Sequence, residues 1–96
     1  MNNPAPVTFV SLDPDNLAIA CDVWTLTIEQ ARAIARVIKA EGEDRPGGYW
    51  RRVVCSPVRR AVRAKAETVT ISTSGFSSSA FASFCYVAGF PTEHAA

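Results

Sequence analysis

The chemistry of this chain is concentrated in one stretch. Between Tyr49 and Ala66 (YWRRVVCSPVRRAVRAKA) stand six of its ten basic residues, Arg51, Arg52, Arg59, Arg60, Arg63 and Lys65, with no acidic residue among them. Guanidinium groups carry planar donor forks that match carboxylates and phosphates bidentately, so such a run points to binding of an anionic partner. Tyr49 and Trp50 head the run and are residue types that commonly anchor interfaces. The opposing possibility is a solvated face, its arginines covered by Glu41, Glu43 and Asp44 of the preceding loop and by Glu67, four residues after Arg63.

Other reactive residue types are poorly arranged for catalysis. The single histidine, His94, stands near the C-terminus among small residues, where nothing orients it towards a nucleophile. Cys21 and Asp22 are adjacent, and neighbours on a strand point to opposite faces, which predicts a core thiol and a surface carboxylate. Asp13 and Asp15 belong to a D-P-D-N turn signature. The run from Ile71 to Ser79 offers hydroxyls at a predicted helix start, a place where anions can bind. It has neither phosphate-loop spacing nor a G-x-G-x-x-G pattern, so helix capping explains the serines better. Three cysteines far apart, Cys21, Cys55 and Cys85, form no metal or disulfide pattern and fit a reducing compartment. The residues call for no catalytic, metal or cofactor site.

Composition narrows the class. Ninety-six residues, 48% hydrophobic and 20% charged, are expected to form one domain with its own core. A net charge of +1 is low for a dedicated DNA binder, so the local basic run matters more than the total. The N-terminus MNNPAP lacks a signal-peptide pattern, and Phe81–Phe90 is about half a membrane span, which predicts a soluble, cytoplasmic protein.

Several elements must position the basic run. Residues 1–6 and 91–96 are expected to be flexible tails. Strands are predicted at Val7–Leu12 and Leu17–Trp24, joined by the Asp13–Asn16 turn, and at Tyr49–Cys55 and Thr68–Thr73. Thr27 and Gln30 have capping-box spacing at the start of a helix from Ile28 to Glu41, stopped by Gly42. Its buried stripe is Ile28, Ala31, Ile34, Ala35 and Ile38, with Arg32, Arg36 and Lys39 on the wet side. Ser56-Pro57 predicts either a helix start, running to about Ala66, or a turn between strands. A last helix runs from the serines to about Ala88 and closes on Gly89. Together these predict a two-layer α+β fold, about four largely antiparallel strands with two or three helices on one face.

The expected function is that of a non-catalytic binding protein whose site is Tyr49, Trp50, Arg51, Arg52, Arg59, Arg60 and Arg63. Its partner would be an acidic protein surface or a nucleic acid or ribonucleoprotein, not a membrane. Such a domain can act stoichiometrically, as small phage or mobile-element inhibitors do, an association by size alone. The rival is a homo-oligomeric structural or accessory domain, such as a homodimer through a sheet edge or the Phe81/Phe84 helix, whose arginines only solubilise it. Last comes a small enzyme using Cys21 or a serine.

Overall fold

The computed structural model describes residues 4–16, 18–41 and 45–95. In order, these form β1 (Val7–Leu12), β2 (Cys21–Thr27), α1 (Ile28–Glu41), a π-helical turn (Arg51–Cys55) continuing into α2 (Ser56–Arg63), β3 (Thr68–Ser74), a 3-10 turn (Gly75–Ser77), α3 (Ser78–Val87) and β4 (Thr92–His94). The sheet order is β3-β2-β1-β4. β2 runs antiparallel to β1 and β3, while β4 is parallel to β1. The α+β class and the number of strands are as the sequence predicts, although the sheet is mixed and one predicted strand is replaced by another segment.

Alternation along the strands decides which side is covered. Trp24 and Leu26 of β2 and Ile71 and Thr73 of β3 are buried, while Thr25, Thr27, Thr70 and Ser72 between them are exposed. The helices therefore lie on the Trp24 side, and an aromatic chain fills the layer between. Phe9 meets Trp24 at 4.4 Å, Trp24 meets Phe81 at 4.7 Å, and Trp50 lies edge-on to Phe84 at 5.1 Å between ring centroids. Burying each such side chain is worth roughly 1.5–3 kcal/mol.

The helix ends follow from local chemistry. At α1 the Thr27 hydroxyl accepts from the Gln30 amide at 3.1 Å, and Gln30 Oε1 accepts from the Thr27 amide at 2.9 Å. The same Gln30 side chain donates to the Ala5 carbonyl at 2.9 Å, tying the lead-in to the helix start. Gly42, the expected stop, lies outside the described residues. α3 ends with Gly89 at φ 97°, its amide on the Tyr86 carbonyl and the Phe90 amide on the Cys85 carbonyl. α2 ends the same way with a lysine in the left-handed position. Lys65 has φ 56°, and the amides of Lys65 and Ala66 bond Val62 and Ala61.

Two expectations are corrected. Tyr49–Cys55 is helical, not a strand. On a strand, Trp50 and Val54 share a face with Arg52, so burying the first two would bury the guanidinium. On a helix Trp50, Val54 and Val58 fall on one side and are all buried, while Arg51 and Arg52 stay exposed. An α-helix does begin at Ser56-Pro57, as the helix reading predicts, and not a turn between strands; it continues the π-helical turn directly, so Ser56 is not a cap. The Ser56 amide bonds the Arg51 carbonyl five residues back, and this wider π turn precedes the proline that cannot continue an ordinary helical ladder.

The fourth strand comes instead from the expected C-terminal tail. Thr92–His94 pairs with Val7–Phe9, and the Ala95 amide bonds the Phe9 carbonyl at 2.8 Å. β2 starts at Cys21; the predicted first residue, Leu17, lies outside the described residues. The Asp13–Asn16 turn does form, but the Asn16 side chain accepts from the Ala18 amide and its carbonyl from the Ile19 amide, adding a second turn before the strand.

Candidate functional site: a cationic groove between two helices

Two stripes of the same spacing face each other. Arg32, Ala35, Arg36 and Lys39 of α1 and Cys55, Val58, Arg59 and Val62 at α2 each follow an i, i+3, i+4, i+7 pattern, one face of a helix. They line a groove of about 220 Å³ with no carboxylate among the described lining residues. Ala35, Cys55 and Val58 are buried and make its floor, with Val62 39% exposed at one end. Arg32, Arg36 and Lys39 are exposed on the α1 side and Arg59 on the α2 side. Four cations thus surround an apolar floor.

The predicted site residues are divided by the fold. Arg59 lines the groove, and Arg60 and Arg63 are exposed on the same short helix. Trp50 is 1% exposed and belongs to the core, so it holds the helix in place instead of anchoring a partner. Arg52 Nη1 donates to the Gly47 carbonyl, fastening the helix start to the preceding turn. Arg51 is exposed but also engaged elsewhere in the structure.

Tyr49 is half-buried beside Arg45, whose guanidinium lies 5.2 Å from its ring centroid and 5.5 Å from that of Trp50. Burial acts to raise the Tyr49 phenol, but hydrogen bonds from Ser77 and Ser74 and the Arg45 charge outweigh it, leaving the pKa below its ordinary value. Tyr49 is thus part of an internal polar junction.

The sequence missed the other half of the groove. Arg32, Arg36 and Lys39 have helical spacing, which by itself marks only a wet face. A signal was available in Trp50, Val54, Val58 and Val62, which recur every four residues and mark a second helix with Arg59 beside Val58. Of the acids expected to cover the arginines, Glu41 lines a separate hollow with Ala80, Ser83, Phe84 and Val87. Glu43 and Asp44 lie outside the described residues.

The alternative reactive groups are accounted for within the fold. Cys21 and Asp22 do point to opposite faces, but in the reverse sense to that expected. Asp22 faces the helical layer, accepting from Ser11 at 2.6 Å and from Ser78, while Cys21 is half-buried on the open face. The reason is register: Asp22 shares its face with Trp24 and Leu26.

The serines are not simple caps, since the residue before α3, Ser77, makes no side-chain cap bond. Their hydroxyls build a network instead. Ser78 pairs with Thr73 at 3.0 Å, Ser77 with Ser74 at 2.9 Å, and Arg45 donates to Ser77 at 2.7 Å. With the Asp22 carboxylate already at the start of α3, the helix end has its anion. Burial pushes the Cys85 thiol up to about 12. His94 lies edge-on to Phe9 at 5.1 Å. Among the described residues no group of His, Cys, Asp and Glu could hold a metal ion, and no helix is long and apolar enough to cross a membrane.

Fold and groove together define a small α+β domain with one cationic inter-helix face. The chain matches no protein-family model, no curated protein and no solved structure.

Proposed function

We propose that this protein is a non-catalytic binding domain that engages an anionic macromolecular surface through the α1–α2 face. The site is Arg32, Arg36, Lys39 and Arg59, extended along α2 by Arg60 and Arg63. One observation carries the reading: four cations from two helices converge on a groove whose described lining contains no carboxylate. A solvated face needs no such convergence, and mutual repulsion among the four makes it mildly unfavourable until an anion arrives. Occupying a partner's surface in this way is sufficient for a stoichiometric inhibitor. The test is capture of partners from cell extract by wild-type protein, by Arg32→Glu/Arg36→Glu/Arg59→Glu, and by Thr70→Glu/Ser72→Glu on the opposite sheet face. Partner loss in the first variant only, with both variants melting near wild type, supports the reading; retention by the groove variant sinks it.

Self-association is the second reading, and it rests on the sheet face that no helix covers. Val10, Val23 and Ser72 stand abreast there, as do Leu12, Cys21 and Ser74, with Val10 40% and Leu12 52% exposed. Phe81 and Phe84 are core residues and do not offer the interface considered from sequence. Sedimentation equilibrium decides this reading: a dimer dissociated by Val10→Lys or Leu12→Lys supports it, and a monomer at every concentration removes it.

A further inference from the structure

The groove is not uniformly polar, and that bears on what fits it. A phosphate backbone laid along it would cover Ala35, Val58 and Val62 with groups that bring nothing apolar to them, losing hydration without return. Nucleic-acid sites of comparable size usually add an aromatic platform for base stacking. None of the described lining residues is aromatic, and the nearby Trp50 is sealed in the core. A volume of about 220 Å³ leaves room for a few partner side chains between the two rims. Facing helical stripes with an apolar floor and charged rims also match the way grooves take short peptide segments.

Resting on the proposed anion-binding face, we infer that the occupant is an acidic protein segment. It seats an aliphatic or aromatic side chain on Ala35, Val58 and Val62, and its flanking Asp or Glu residues meet Arg32, Arg36 and Lys39 on one side and Arg59 on the other. The apolar contact supplies the anchor, and the charges set orientation and exclude basic or neutral segments. Arg60 and Arg63, exposed further along α2, extend the positive rim for a segment longer than the groove.

Fluorescence anisotropy with four labelled probes at about 50 mM salt separates the possibilities. The probes are a decapeptide of Glu and Asp with two central leucines, its twin with serines for the leucines, a mixed-sequence DNA single strand, and the corresponding duplex. The leucine peptide is expected to bind roughly tenfold more tightly than its serine twin, the worth of one seated side chain, and more tightly than either DNA. Val62→Asn, at a residue 39% exposed and so tolerant of polarity, is expected to erase the leucine peptide's advantage over its serine twin.

DNA binding more tightly than both peptides, weakened by Arg36→Glu/Arg59→Glu but not by Val62→Asn, overturns the partner class and leaves the anionic-surface reading standing. Equal binding of the two peptides overturns the anchor. If no probe binds, or Arg36→Glu/Arg59→Glu changes none of them, the groove reading fails as well. Circular dichroism melts on each variant show that the fold persists.

Discussion

Arg36 and Arg59 reach the groove from opposite helices, and replacing both with alanine separates a binding role from a structural one. Each is exposed and lines a groove without carboxylates among the described residues, so neither holds the fold through a buried contact. Exposed cation–carboxylate contacts are worth about 0.2–1 kcal/mol each. Removing two of four is therefore expected to cost roughly 0.5–2 kcal/mol of binding, or about 2- to 30-fold in Kd.

Stability should move the other way or not at all, because like charges are being thinned. A change within about 0.5 kcal/mol corresponds to about 2–4 °C in Tm for a domain of this size. Anisotropy with the acidic leucine peptide gives Kd, and a thermal melt gives Tm. The salt dependence of Kd should also flatten, since fewer charges are neutralised on binding. An unchanged Kd refutes the role assigned to these cations. A Tm lowered by more than about 5 °C shows that they act in folding, and the binding loss could then not be assigned to the groove.

The helix ends, the capping box and the buried thiol give further tests. Lys65→Gly is expected to raise stability by about 0.5–1 kcal/mol, because lysine occupies a left-handed position at φ 56°. Gly89→Ala is expected to lower it by about 1 kcal/mol through φ 97° alone, since an added Cβ would meet nothing within 4 Å. Urea melts of the two variants should therefore shift in opposite directions. Thr27→Ala removes the hydroxyl bonded to the Gln30 amide and should cost about 1 kcal/mol in the same assay.

Cys85, raised by burial from 9 to about 12, contributes stability that is fully present below pH 9 and is lost as pH rises from there towards 12. Its share of the slope is at most about 1.4 kcal/mol per pH unit, and Cys85→Ala should remove that share of the alkaline loss. A slope unchanged in the variant contradicts the burial assigned to this thiol.

Locally encoded features were legible. The Thr27/Gln30 box, the Asp13–Asn16 turn, the Thr68–Ser74 strand and the Gly89 stop depend on neighbours a few residues apart, and each forms as its spacing indicates. Failures arose where tertiary context decides. Val53-Val54 has strand propensity, but burying Trp50, Val54 and Val58 without Arg52 requires a helix. Thr92–His94 has weak strand character and becomes β4 because the open edge of β1 offers it hydrogen bonds.

The groove was half legible for the same reason. Each cationic stripe can be seen in its own segment, but only the packing of α1 against α2 sets Arg32, Arg36 and Lys39 across from Arg59. Asp22 likewise cannot be assigned to a face until Trp24 and Leu26 establish which side of β2 is inside.

Amide chemical-shift mapping on isotopically labelled protein, titrated with the acidic leucine peptide, addresses the proposed binding face with the fewest intermediate assumptions. Binding at the α1–α2 face should shift amides in residues 32–39 and 55–63 and leave the opposite sheet face, around Val10, Val23 and Ser72, in place. Shifts centred on that sheet face or on Ser74–Ser78, with the two helices silent, would contradict a cationic groove as the binding site.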